Sequence, residues 1–140
     1  MKKCKFCNII KYKNDYVIFE NKNTIAILDN KPLSKGHLLI IPKKHYESLL
    51  DVPASVFVEL FKTAYKISLK VCKILNADSV NIALNSGYNA GQSVNHFHIH
   101  VLPRYHNDKM QIIVVNKNSK IYKKNLSKIY NILTQAKLSL

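Results

Sequence analysis

Residues 91–104 read Gly-Gln-Ser-Val-Asn-His-Phe-His-Ile-His-Val-Leu-Pro-Arg, so that His96, His98 and His100 alternate with Phe97, Ile99 and Val101. In a β-strand successive side chains point to opposite faces, which places the three imidazoles on one side and the three apolar residues on the other. The stretch therefore predicts a strand from His96 to Leu102 that sinks its apolar row into a core and offers imidazoles to a cleft. Histidine is scarce, with six in the chain, and half of them fall in these five positions directly after Gly-Gln-Ser. That concentration reads as an active site rather than as a polar face that happens to be histidine-rich.

With 140 residues the chain is expected to fold as one domain, 1–140, with a core that needs no covalent staples. Met1-Lys2-Lys3-Cys4 leads into a mixed polar segment, and no run approaches the length of a membrane span, so a cytoplasmic protein is expected. Cys4 and Cys7 form a Cys-x-x-Cys pair; in a reducing compartment such a pair binds metal or does redox chemistry more often than it closes a structural disulfide. Cys72 stands apart and reads as a core residue. The formal charge of +14 attracts phosphates in general, but Arg104 is the only arginine. Specific base readout by arginine forks is thereby excluded, which leaves weak, salt-sensitive binding as the most that nucleic acid is expected to show.

The remaining pattern is that of an α+β domain. Cys4–Lys11 suits a short helix or turn, and 15–20 and 24–28 suit two strands around the turn Asn21-Lys22-Asn23. His37–Pro42 is a short apolar run consistent with a buried strand closed by proline. Pro53 suits the first turn of a long helix whose apolar positions, Val56, Phe57, Leu60, Ala64, Ile67, Val71, Ile74 and Leu75, follow three-and-four spacing, with Lys62, Lys66, Lys70 and Lys73 on a solvated face. Residues 79–84 suit another strand, 85–91 a polar loop, and about 123–138 a C-terminal helical segment.

The triad His96-Phe-His-Ile-His-Val, preceded by Gly91-Gln92-Ser93 and, upstream, by Asp29, the strand His37–Pro42 with Lys43, Lys44 and His45, and Asn85, resembles the histidine triad (HIT) family over residues 4–104. The similarity is strongest to its small Hint-like bacterial branch with an N-terminal Cys-x-x-Cys. It implies an α+β antiparallel meander sheet with one long helix, a homodimer, and a purine nucleotide substrate. It further implies hydrolysis of nucleoside phosphoramidates or related adenylated compounds, with His98 attacking the α-phosphorus to give a nucleotidyl-histidine. Imidazole suits that step, because its unperturbed pKa near 6.5 leaves one nitrogen unprotonated at neutral pH.

By the same resemblance His100 and His37 are the flanking histidines, while Asn85, Gln92 and Ser93 are donors to the phosphate and leaving group. Asp29 takes the ribose hydroxyls, and Phe6, Ile9 and Ile27 surround the purine. Cys4, Cys7, His45 and His96 are the positions that ligate zinc in this branch; two thiolates and two imidazoles close a tetrahedron, which marks a structural Zn2+. A catalytic zinc held by His96, His98 and His100 is disfavoured, because the outer two stand roughly 13 Å apart along a strand while zinc bonds are about 2 Å. Dinucleoside polyphosphate hydrolysis, or a zinc-stabilised nucleotide-binding regulatory module with incidental turnover, are the competing functions. Arg104 and His106 are expected to be strand-end and loop residues.

Overall fold

The computed structural model describes residues 4–13, 16–110 and 124–135. The chain divides into two compact units, Met1–Met110 and Gln111–Leu140. In the first run α1 (Lys5–Tyr12), β1 (Val17–Glu20), β2 (Thr24–Leu28), β3 (Leu38–Pro42), α2 (Ala54–Leu75), β4 (Ser79–Ala83) and β5 (Ile99–Arg104); in the second, α3 spans Leu126–Gln135. The architecture is α+β with five antiparallel strands in the order β1-β2-β3-β5-β4. Helix α2 carries the chain from β3 to the edge, where β4 forms, and β5 returns between them. Asp15, residues 1–3, 123 and 136–138 of the expected segments lie outside the described residues.

Parity along the strands decides which residues share a face. Ala26, Leu38, Ile40, Ile99 and Val101 join Leu60, Ala64 and Ile67 of α2 in one buried cluster, to which Phe97 also belongs. Ile25, Ile27, Leu39 and Ile41, the alternate residues, join Phe6 and Ile9 of α1 in a second cluster across the sheet. All five residues of β3 are buried, as a strand covered on both faces requires. His100 is paired with Leu39 and has its parity. The imidazole-bearing face is thus the α1 face, opposite the long helix.

The long helix differs in detail from its sequence pattern. Pro53 precedes the first turn, its carbonyl accepting from Phe57 N, and Asn76 closes the helix in the left-handed region at φ 54°. Ile74, expected on the packed face, is 73% exposed. Thr63 and Ser68 are buried in its stead, with hydroxyls donating to the carbonyls of Glu59 and Ala64 one turn back, so that no polar group is stranded.

Candidate active site and metal centre

The strand expected from His96 begins only at Ile99. His96, Phe97 and His98 are a lead-in whose backbone is held elsewhere: Phe97 N donates to Tyr46 O at 2.7 Å and His96 N to Val94 O at 2.8 Å. Alternation survives, since Phe97, Ile99 and Val101 are fully buried. The imidazoles, however, part company. His98 and His100 line a cavity of about 420 Å³, together with His37, Asp29, Ile27, Phe6 and Ser93, whereas His96 is buried against the Cys-x-x-Cys helix.

Hydrogen bonds to the backbone assign each ring a tautomer. A carbonyl can only accept, so His98 Nδ1, 2.7 Å from His96 O, carries its proton and leaves Nε2 as the unprotonated nitrogen. His96 Nε2 likewise donates to Pro42 O at 2.8 Å, which leaves Nδ1 unprotonated. An N–H can only donate, so Leu33 N, 3.2 Å from His37 Nδ1, makes that nitrogen an acceptor and puts the ring proton on Nε2. Nε2 then donates to His100 Nδ1 at 2.9 Å, and the proton of His100 lies on its far nitrogen. Asp29 Oδ2 stands 3.6 Å from His37 Nδ1, too long for a hydrogen bond, while its Oδ1 accepts from Lys31 N at 2.9 Å.

The rings are held neutral at physiological pH. Burial is the largest cause lowering the pKa of His37, His98 and His100, and for His100 repulsion from His98 and His37 adds to it, bringing the value to about 4. The Phe6 ring meets His98 edge-on, 5.1 Å between centroids. A neutral, unprotonated nitrogen on a buried imidazole beside a ring N–H donor can attack an electrophile whose oxygens that donor holds.

Cys4, Cys7, His45 and His96 form a cluster that can hold a metal ion, with ligand atoms all within 4.8 Å of one another. His96 Nδ1 lies 3.4 Å from Cys4 Sγ and 3.6 Å from Cys7 Sγ, and His45 Nδ1 lies 3.3 Å from Cys7 Sγ. Burial first and the neighbouring Cys4 thiol second push the Cys7 thiol up to about 11. A cation reverses that preference, because its charge favours thiolates. Asp29, His37 and His100 form a second close group, but two of its ring nitrogens already share a hydrogen bond.

Other expected site residues are dispersed. Ile9 is buried in the core cluster and is absent from the cavity lining. Asn85 and Gln92 do not line the cavity either. The Gln92 carboxamide faces backbone, accepting from Gly87 N and donating to Glu47 O and Val94 O. Lys5, Lys31, Leu33, Leu39 and Val94 line the cavity without having been singled out; Leu33 acts through its N–H, which no side-chain pattern reveals. Arg104 binds Asp108 through two nitrogens and also Asn81, Oδ1 of the latter at 2.7 Å, so that it ties the end of β5 to the following turn. Among the described residues, no helix is long and apolar enough to cross a membrane.

Alternating imidazoles that lead into β5 of a five-stranded sheet, beside a Cys/His cluster, define a histidine triad domain. Residues 11–107 match the family model described as HIT domain, and the chain belongs to that family. It is 41% identical over 106 residues to an adenylylsulfatase of Arabidopsis thaliana, covering 75% of this chain and 54% of that one. It is 34% identical over 135 residues to an adenosine 5'-monophosphoramidase of Saccharomyces cerevisiae, covering 90% and 82%. Among solved structures, a HIT family member from Bacillus subtilis superposes with a TM-score of 0.83 at 29% identity, covering 99% of each chain. A zinc-bound histidine triad family protein from Mycobacterium smegmatis does so with 0.76 at 31% identity, covering 93% and 97%.

Proposed function

We propose that the protein is a nucleotidyl hydrolase that cleaves purine nucleoside phosphoramidates or related adenylated compounds through a covalent nucleotidyl-histidine on His98. The observation that carries this reading is the hydrogen bond from His98 Nδ1 to His96 O, which reserves Nε2 for attack. In the first step His98 Nε2 bonds to the α-phosphorus, the bond from phosphorus to the leaving group breaks, and a leaving amine departs with a proton taken from solvent. In the second, water bonds to phosphorus, the nitrogen–phosphorus bond breaks, and nucleoside monophosphate is released with a proton to solvent. His100, its outer nitrogen protonated, donates to a phosphate oxygen, and His37 holds it in that tautomer. Ser93 faces the same cavity as a further donor, Asp29 takes the ribose, and Phe6 and Ile27 take the base. The names of the two curated relatives, an adenylylsulfatase and a monophosphoramidase, support adenylylated substrates as the class.

Cys4, Cys7, His45 and His96 are proposed to hold a structural Zn2+. With zinc bonds of about 2.3 Å to sulfur and about 2.0 Å to nitrogen, a tetrahedron places S and N roughly 3.5 Å apart. The three S···N separations of 3.3–3.6 Å fit that edge. Zinc with four protein ligands supplies a cross-link, leaving no open position for substrate. Pairing as a homodimer is also proposed; β4 is an edge strand of the sheet, which supports it.

Release of nucleoside monophosphate from an adenosine phosphoramidate, by the native protein and by His98→Ala, tests the reading. Turnover that vanishes in the variant is expected. Nucleotide binding without turnover of the phosphoramidate or of a dinucleoside polyphosphate would replace the enzyme by a binding module.

A further inference from the structure

The segment 85–94 joins β4 to the histidine lead-in and carries two of the chain's three glycines. Gly87 and Gly91 sit at φ 87° and 84°, a region that side chains other than glycine enter at a cost, so the loop's path is set by backbone geometry. Such a loop needs something to hold it. Ser93 and Val94 at its end line the cavity, so any shift of the loop moves the group that faces substrate.

Gln92 is 7% exposed and its carboxamide has a partner on each side. Oε1 accepts from Gly87 N at 2.6 Å, and Nε2 donates to Glu47 O at 2.6 Å and to Val94 O at 2.8 Å. Both N–H groups of the amide are thereby used, and none remains for a phosphate or a leaving group. The bond to Glu47 has neighbours: Leu49 N donates to Ser86 Oγ at 3.0 Å, and Phe97 N donates to Tyr46 O at 2.7 Å. Residues 46–49 and 86–97 therefore run together, and among the described residues the Gln92 side chain bonds both to the 46–49 segment and across the glycine turn. His45, one of the Cys/His cluster, is the residue just before that seam.

We propose that Gln92 is a positioning residue for the reaction on His98, a backbone clamp that fixes the 85–94 loop to the 46–49 segment. It holds Ser93 against the cavity and connects the loop to the chain segment that bears His45. This rests on the nucleotidyl-hydrolase reading for its kinetic consequence, and on the hydrogen-bond geometry alone for its structural one. A group that touches the leaving group and a group that holds the loop differ in what they leave behind when removed. The first costs turnover in proportion to the leaving group's need for a donor; the second costs every substrate alike, because the loop serves the phosphoryl group common to all.

Gln92→Ala is compared with the native protein on an adenosine phosphoramidate and on adenylyl sulfate, and amide exchange at Gly87 is followed in both proteins. A loss of kcat/KM by about tenfold to hundredfold, equal for the two substrates, is expected from a loop displaced by a fraction of an ångström to about 1 Å. Exchange at Gly87, whose N–H loses its acceptor, is expected to quicken about tenfold or more. In the native protein, which folds whatever the variant does, the Gln92 side-chain amide protons should be protected and should not shift when AMP is added. Side-chain protons that exchange freely or shift strongly with AMP, or a loss confined to one leaving group with Gly87 exchange unchanged, would overturn the clamp. If the native protein turns over neither substrate, the function proposed above fails, and the Gly87 and Gln92 exchange data still decide the clamp.

Discussion

His96 and His100 lie four residues apart on one face of one segment, yet they end in opposite settings. His96 is fully buried with two sulfur atoms within 3.6 Å of its free nitrogen. His100 opens on a cavity with another imidazole 2.9 Å from it. What separates them is the partner of each ring's second nitrogen and the element packed overhead: α1 with its cysteines at one end, the 29–36 loop at the other. The same side chain thus joins a Cys/His cluster that can hold a metal ion, or faces a cavity, according to which neighbours the topology supplies.

The largest effect that would sharpen this contrast is expected from His98→Ala, which removes the nitrogen proposed to attack, between the two ends. Nucleoside monophosphate release should fall by at least about 10⁴-fold, while the content of added zinc stays near that of the native protein. Retained turnover would place the chemistry elsewhere. Next comes the closed end: Cys7→Ser or exhaustive chelation should lower the melting temperature by on the order of 10 °C, because binding energy at such a site is folding energy. Calorimetry before and after zinc is restored checks it; an apoprotein that melts unchanged but is inactive would exchange the roles of the two ends.

At the open end, His37→Gln removes the ring that orients His100. A drop in kcat of about tenfold to hundredfold with little change in KM is expected, read from steady-state kinetics. A KM effect alone would make His37 a binding group.

The smallest effect concerns protons. His100 is held down to about 4 chiefly by burial, so the unfolded chain protonates it first, near pH 6.5. Its contribution to stability is therefore fully present above about pH 6.5, declines as pH falls through the window between about 6.5 and about 4, and is gone below it. The denaturant midpoint of the native protein should fall relative to that of His100→Gln as pH is lowered across that window; curves that stay parallel would mean that His100 is not desolvated.

Much of the scaffold is legible in the sequence because it rests on side-chain period. The hairpin around Asn21–Asn23, the buried run before Pro42 and the span of α2 all follow from alternation or from three-and-four spacing. What was not legible rests on main chain. The late start of β5 reflects the bond of Phe97 N to Tyr46 O instead of to a neighbouring strand, and no residue type announces that. Ile74 reads as core by spacing alone, but it lies in the last turn of α2, beyond the buried stretch from Leu60 to Ser68, and stays exposed. The set Cys4, Cys7, His45 and His96 was carried by family resemblance across 92 positions, a distance no local pattern spans.

The tautomers of His96 and His98 are set by the carbonyls of Pro42 and of His96 itself. Every amino acid brings a carbonyl, so the instruction that tells one imidazole to present Nδ1 and the other Nε2 is written in a part of the chain that substitution does not erase. Any residue that the buried end of β3 accepts at position 42 would leave that instruction in operation. Such a protein can drift widely in side-chain identity and keep the proton bookkeeping of its site; replacing the peptide linkage after Pro42 by an ester, whose carbonyl is a poorer acceptor, is the kind of change that reaches it.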